Sequence, residues 1–425
     1  MSEQHKFRYL IPPGSSFAFV RKFKYWLVAS IVLMAASVSV LFINKATRGE
    51  YMNWTIDFKG GTEIIFAFKD TQTGAYKTVD PGAVRKALES SGDHGVELSN
   101  ITYKEETPKG EVDVSGLIVR SPRFSALKPE QEKKAADDFD AKFADRGITK
   151  ASWSGDRLYV RSKKTITNAE AAAVFAGAGL ELKPWDPKQQ EAYATPDEGS
   201  KEFNSVFAMW GLDRQYSKIL ETAIPNTQAV AVQSYGVGAK AGEKLRDDAA
   251  KSIIYAIFLI MLYLAFRFDV RYAPGAAFAT IHDAIMVIGV FAVTWTEVSL
   301  TSVAGLLTVV GYSVNDTVIV FDRIRENQAK LKDKKLERII DISLNEMLVR
   351  TILTSSTVFA TTLIMNIFGT GLVKNFAFAM NIGVIVGTYS SIFLATPIFM
   401  WVSNKWYRGP GKRRRILDKP AAEAA

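Results

Sequence analysis

Asp316 lies in the stretch Gly311-Tyr312-Ser313-Val314-Asn315-Asp316-Thr317-Val318-Ile319-Val320-Phe321-Asp322-Arg323-Ile324-Arg325-Glu326, which closes an apolar run beginning near Ser299. At the helical rise its carboxyl sits roughly 10 Å inside the end marked by Arg323. An ionisable group at that depth is costly unless it faces a bundle interior or a water-filled path. His282 and Asp283 lie about ten residues into a second apolar run, counted from Arg271, and Arg350 opens a third, one turn after Glu346. All are at compatible depths, so Asp316, Arg350 and Asp283 can share a polar cluster, with Asn315, Thr317, His282 and Asp322 in support. The chemistry such a set offers is proton transfer. A carboxyl screened from water holds its proton more tightly, and a nearby guanidinium reverses that. Moving Asp316 and Arg350 apart would load a proton; bringing them together would release it. Plainer roles stay open beside this one. Asp316 could lock two helices by hydrogen bonding, Arg350 could snorkel to the interface, Asp322 could be a helix-terminal charge near the headgroups, and His282-Asp283 could be an interior pair.

Other chemistries find no support. The chain has no cysteine, which excludes disulfides, thiol catalysis and thiolate metal sites. No His-x-x-x-His or acidic cluster has metal-ligand spacing, and no serine or threonine has a convincing catalytic partner. Asp57-Phe58-Lys59-Gly60-Gly61-Thr62 lacks a phosphate-cradling pattern and reads as a turn that needs glycine backbone angles. There is no Walker motif. We therefore expect no catalytic residues, no metal and no cofactor. The formal net charge of +9 could suggest nucleic acid, but the basic residues sit beside apolar runs: Arg21, Lys22 and Lys24; Arg267 and Arg271; Lys330 to Arg338; Lys412 to Arg415. That is the distribution of a membrane protein with basic loops on one side, and no nucleic-acid partner is expected.

The elements that must position these residues follow from the apolar runs. A mean hydropathy of +0.03 over 425 residues is too mild for a chain that is membrane throughout, so a soluble part and a membrane part are expected. Residues 1–24 read as a polar, basic cytoplasmic segment with a break at Pro12-Pro13-Gly14, and 25–44 as a first span. That run is long for a signal peptide, and Phe42-Ile43-Asn44-Lys45 offers no small-x-small cleavage site, so it reads as an uncleaved anchor. Residues 45–248 hold no spanning run and read as an α+β region; 249–402 read as a five-helix membrane domain over about 249–266, 273–294, 299–321, 351–369 and 375–402; 403–425 form a basic tail. Lys and Arg concentrate in alternate loops. Both termini are expected in the cytoplasm and the α+β region outside. Within the 322–346 stretch, Ile339, Ile340, Ile342, Leu344 and Leu348 suggest an amphipathic surface helix.

In the α+β region, Asn53 to Phe68 looks like two extended pieces about a Gly-Gly turn. A rhythm of helix, glycine and strand follows: Pro81–Ser91 then Val96–Tyr103, Glu130–Asp145 then Ile148–Arg161, Asn168–Ala176 then Leu180–Trp185. It suggests ferredoxin-like sheets covered on one face by helices. Thr227–Tyr235 reads as a further strand, and Lys183–Pro187 and Ala194–Asp197 as loops.

The Gly311–Asn327 stretch, without gaps, resembles the signature of the SecF proteins of the SecD/SecF family, membrane subunits of bacterial protein export. So do Asp57-Phe58-Lys59-Gly60-Gly61-Thr62, Gly236–Glu243, His282-Asp283, Arg350-Thr351-Ile352-Leu353-Thr354-Ser355 and Gly387–Ile392; Asn345-Glu346-Met347 departs from the family pattern. The resemblance covers residues 53–65 and 236–396 and says little about 105–225, part of which reads as an insertion. It implies half of a resistance-nodulation-division type bundle: six transmembrane helices, with a large periplasmic α+β domain between the first and second. It also implies a site in which Asp316 and Arg350 couple proton flow to protein export across the bacterial cytoplasmic membrane. The implied partners are SecD, the SecYEG channel, YajC, the unfolded polypeptide in transit and membrane lipids. A proton-driven small-molecule or lipid exporter of the same superfamily is the alternative.

Overall fold

The computed structural model describes residues 16–107, 110–184, 190–194 and 201–406. The Pro12-Pro13-Gly14 break, the Lys412–Arg415 run and most of the two expected loops at 183–187 and 194–197 lie outside the described residues. The chain divides into two units: Thr55–Arg246, and the residues on either side of it.

The flanking unit is a helix bundle. Its helices are α1 (Phe23–Arg48), α7 (Ala239–Arg267, whose first turns belong to the other unit), α8 (Ala273–Thr294), α9 (Leu300–Lys330), α10 (Leu336–Phe368), α11 (Gly371–Ser390) and α12 (Thr396–Trp406). Among the described residues, six helical segments are long and apolar enough to cross a membrane, the last formed by α11, a π-helical turn at Ser391–Ala395, and α12. Several helices outrun the apolar residues that reveal them. The 322–346 stretch is helix on both sides of a short break, because α9 continues to Lys330 and α10 starts at Leu336. No separate surface helix forms there. Ile339, Ile340 and Leu344 are buried in the first turns of α10, and polar residues close the gap between the two helices. Asn327 Nδ2 donates to Ser343 Oγ at 3.0 Å and to Glu346 Oε2 at 2.7 Å, and Arg323 Nε donates to the same oxygen at 2.6 Å. Satisfied in this way, the helices need not end where the apolar pattern does.

Both ends of the bundle are tied. Phe17 N donates to Asn345 Oδ1 at 2.7 Å and Val20 N to Asp341 Oδ1 at 3.0 Å, joining the start of α1 to α10. At the other end of α1, Val298 N donates to Asn53 O at 2.8 Å and Asn53 Nδ2 to Trp295 O at 3.1 Å, joining it to the α8–α9 connection.

The Thr55–Arg246 unit contains two antiparallel sheets. The first has β1 (Gly61–Asp70), β2 (Glu97–Thr107), β3 (Gly110–Ser121) and β8 (Thr227–Val237) in the order β2-β3-β1-β8, with α3 (Pro81–Ser90) and α6 (Leu212–Ala223) over one face. Alternation in β1 turns Ile64, Phe66 and Phe68 inward against Val84, Leu88, Tyr216 and Leu220. The second has β4 (Ile148–Ser154), β5 (Arg157–Ser162), β6 (Gln190–Ala194) and β7 (Lys201–Ala208) in the order β4-β5-β7-β6, with α4 (Pro129–Lys142) and α5 (Asn168–Gly177). Counted with β7 as its first strand, it repeats the strand and helix order of the first sheet. The region inserted between β3 and α6 is thus a circularly permuted copy of the ferredoxin-like arrangement around it. Three helix–glycine–strand units were expected. The third yields α5 and then an isolated bridge, Leu182 to Met209, in place of a strand.

The Asp57–Thr62 motif also departs from expectation. Its first half is not extended: Ile56–Lys59 form one helical turn, α2, stopped by Gly60 at φ +79°. A Cβ on Gly60 would meet Ala239 Cα at 2.8 Å, and one on Gly242 would meet Phe58 O and Gly60 N at 3.1 Å. The two glycine motifs, far apart in sequence, are the two sides of one close backbone seam. Asp57 and Thr62 are buried within it, Thr55 Oγ1 donating to Asp57 Oδ2 at 3.3 Å and Thr62 Oγ1 to Phe124 O at 3.4 Å.

Candidate functional site in the helix bundle

α8 carries His282 and Asp283 into the bundle, where they are 1% and 0% exposed. Asp283 Oδ1 is 2.9 Å from His282 Nδ1. Its Oδ2 accepts from Ser390 Oγ of α11 at 2.7 Å and from Ser313 Oγ of α9. One carboxyl therefore ties three helices, with both oxygens occupied. His282 Nε2 is buried without a hydrogen-bond partner.

α9 carries Asp316 three residues after Ser313, almost one turn along. It is 2% exposed, and its Oδ2 accepts a single bond from Ser355 Oγ of α10 at 3.2 Å. Ser355 in turn accepts from Thr388 Oγ1 of α11 at 2.7 Å, with Tyr312 Oη at 3.4 Å. Thr317 turns back on its own helix and donates to Ser313 O at 3.1 Å. Asn315 is exposed, with no side-chain partner among the described residues.

The small residues of α11 make this possible. A Cβ on Gly383 would lie 2.0 Å from Val309 Cγ2, and one on Gly387 would lie 3.1 Å from Ser313 Cβ. Only glycine lets α11 approach α9 closely enough for Thr388 and Ser390 to reach the two clusters. The π turn follows at once, with Thr396 Oγ1 donating to Ser391 O at 3.0 Å.

Arg350 is not part of either cluster. It precedes Ser355 by five residues on α10, about 7.5 Å along the axis. Its side chain is exposed in a cleft beside Asp322, Arg323 and Glu326, and no bond joins it to Asp316. Asp322 pairs with Arg325 at 2.8 Å, one turn along the same helix.

Of the residues singled out from sequence, the structure gathers Asp316, Asp283, His282 and Thr317 about one α8–α9–α11 seam, with α10 reaching Asp316. It leaves Arg350, Asp322 and Asn315 outside. The motif Asp57, Gly60, Gly61 and Thr62 serves the α+β unit. Four participants were not picked out beforehand: Ser313, Ser355, Thr388 and Ser390. Their signal is a hydroxyl inside an apolar run, which alone is weak because such hydroxyls usually bond their own helix, as Thr354 Oγ1 does to Arg350 O. Asn381, unplaced by sequence, accepts from Thr362 Oγ1 at 2.6 Å. Among the described residues, no group of three or more His, Asp or Glu could hold a metal ion.

The family model described as protein export membrane protein SecD/SecF, C-terminal, matches residues 215–405, which include Asp283, Asp316 and Arg350. The chain is 36% identical over 244 residues to the protein translocase subunit SecF of Gemmatimonas aurantiaca, covering 57% of this chain and 70% of that one. The chain belongs to the SecD/SecF family. A second SecF, from Thermodesulfovibrio yellowstonii, is 35% identical over 248 residues, covering 58% of this chain and 80% of its own. The SecF of Koribacter versatilis, at 29% identity, covers 96% of this chain and 98% of its own, so that alignment also runs through residues 105–225. The crystal structure of SecDF from Thermus thermophilus matches with a TM-score of 0.57 at 24% identity, over 94% of this chain and 40% of that one. At that identity it speaks for the fold: a membrane helical protein carrying an α+β domain. This SecF-family chain spans less than half of that SecDF chain.

Proposed function

We propose that this chain acts as a SecF-type protein translocase subunit in which Asp316 carries the proton that drives export. The observation behind this is the contrast inside the bundle: Asp316 is buried yet held by one hydroxyl, and Arg350, exposed about a turn and a half along the neighbouring helix, has no ion-pair partner among the described residues. In the arrangement described above the two are apart, the state in which the carboxyl would hold a proton. Rotation or sliding of α10 would bring the guanidinium in and displace it. Asp283, joined to the same stretch of α9 through Ser313, is the next acid to consider should Asp316 not be the carrier.

We propose a SecD-type six-helix half as the neighbour of this bundle. Thr308, Gly311 and Asn315 of α9 and Thr354, Thr357 and Thr361 of α10 are exposed well inside spanning segments. The four threonine hydroxyls bond carbonyls of their own helices, so this face is one of small side chains that lets a second bundle pack closely. SecYEG and YajC, and a polypeptide in transit, are further proposed partners. The proposed orientation in the bacterial cytoplasmic membrane has both termini inside and residues 45–248 in the periplasm. Its support is that Arg267, Arg271 and the Lys330–Arg338 run fall at the end of the bundle where Val20 meets Asp341. Single cysteines at Ser154 and Lys334 should label from outside intact cells at Ser154 alone; the reverse pattern overturns the orientation.

The decisive measurement is export of a reporter protein into inverted vesicles, with and without an imposed proton gradient. Asp316→Asn keeps size and hydrogen bonding but cannot change charge. It should abolish the response to the gradient while the protein still inserts and co-purifies with its SecD-type partner. A wild-type response would make Asp316 structural and move the proton path to Asp283.

A further inference from the structure

α7, α9 and α10 enclose a cleft of about 320 Å³ at the end of the bundle where α7 finishes at Arg267. Its floor is apolar: Phe268, Val318, Ile319 and Met347. Five charged side chains also line it, and their pairing is unequal. Arg323 is held by Glu326 at 2.7 Å and by Glu346 at 2.6 Å. Asp322 is held by Arg325 at 2.8 Å, and Glu326 also receives Lys330. Both acids of the cleft are thereby compensated. Arg267 and Arg350, from α7 and α10, have no carboxylate among the described residues; Arg267 only lies over the Phe268 ring at 5.6 Å. Two unpaired guanidiniums opening on one cleft repel each other and together attract an anion.

The surroundings say what kind of anion. α7 is the least buried of the spanning helices together with α1, with 6% of its apolar window covered, and Leu259, Leu262, Tyr263 and Phe266 stand exposed on the turns leading to Arg267. The cleft therefore opens where an apolar helix surface meets its first arginine, the depth at which lipid phosphates lie. A free phosphate would gain from the arginines and nothing from the floor. We infer that this cleft binds the headgroup of an anionic glycerophospholipid, its phosphate held by Arg267 and Arg350, its glycerol and first acyl carbons against Phe268, Ile319 and Met347. Guanidinium forks suit a phosphate, and each such charge-assisted contact is strong where water is thinned. The inference shares Arg350 with the proton reading, whereas Arg267 belongs to the lipid site alone and lipid binding is measured without export.

Native mass spectrometry of the full chain in detergent tests it, titrating phosphatidylglycerol, phosphatidylcholine and inorganic phosphate. One phosphatidylglycerol should bind with at least about tenfold preference over phosphatidylcholine, and Arg267→Gln with Arg350→Gln should lower that affinity about tenfold or more. Lys332→Gln with Arg338→Gln removes as much charge from exposed positions outside the cleft and should change it less than about twofold. Inorganic phosphate should not displace the lipid. An absent headgroup preference in the wild type overturns the site without any variant. Equal loss in both double variants reduces it to diffuse charge, and displacement by inorganic phosphate makes it a free-anion site. Loss of the lipid when a SecD-type partner co-purifies would give the cleft to that partner's acidic side chains instead.

Discussion

Asp283 and Asp316 are both aspartates in the middle of spanning helices, both buried, and they differ in how they are held. Asp283 has His282, Ser313 and Ser390 on its two oxygens, from its own helix and two others. Among the described residues, Asp316 has Ser355 alone. A carboxyl bonded on every side is a fastener, since exchanging its partners means separating three helices. A carboxyl with one bond can change partners when a single helix moves. Burial alone does not mark a functional acid in a membrane; the number of partners it would have to give up does.

The comparison can be broken most severely at the fastener. Asp283→Leu leaves two serines and a histidine buried with nothing between them, and should cost on the order of 2–4 kcal/mol, seen as lost yield and a lower melting temperature in detergent. The matching Asp316→Leu should fold with much less loss. If the two variants are equally unstable, the distinction between fastener and carrier fails.

Arg350→Lys should have the next largest effect, leaving gradient-driven export between wild type and Asp316→Asn. Lysine keeps the charge but loses the planar fork. Export by Arg350→Lys equal to wild type would show that a point charge suffices. Ser355→Ala should be milder still, because it removes one hydroxyl from Asp316 and leaves Thr388 to fill the place; a reduction in export of about threefold is expected, with yield unchanged. A fall as deep as that of Asp316→Asn would make Ser355 part of the proton path itself.

The smallest effect carries the comparison outside the membrane. Asp156, at the joint between the two sheets, accepts from Ser125 Oγ at 2.8 Å and from Ala126 N at 2.7 Å. Burial nonetheless pushes its carboxyl above the ordinary value of 3.8, and the same cause raises Glu132 nearby. A carboxyl whose folded value lies above its unfolded one destabilises once ionised. That penalty is absent below the ordinary value and fully present above the raised one, so stability falls as pH rises between them. In a fragment spanning 48–235, Asp156→Asn should keep both bonds and flatten this slope, read as melting temperature against pH by circular dichroism. An unchanged slope would assign it to Glu132.

Six long apolar helices, the α+β character of the intervening region and the place of Asp316, Asp283 and His282 inside those helices were legible in the sequence because each rests on local pattern: apolar run length, alternation about glycines, an acid inside a hydrophobic helix. The continuation of α9 and α10 through 322–346 was not legible, since Asn327, Ser343, Glu346 and Arg323 look like loop residues until they are seen bonding one another across two helices. Nor was the permuted second sheet, whose β7 completes an order begun some fifty residues earlier at β4. Local pattern says which groups lie within long apolar helices and roughly how far from their ends. Which oxygen meets which hydroxyl depends on the rotation of each helix, set by contacts such as Gly383 against Val309 between residues 74 positions apart. For that reason the sequence determined that two acids are buried in this bundle, and only the tertiary structure decided that Asp283 is bound on all sides and Asp316 on one.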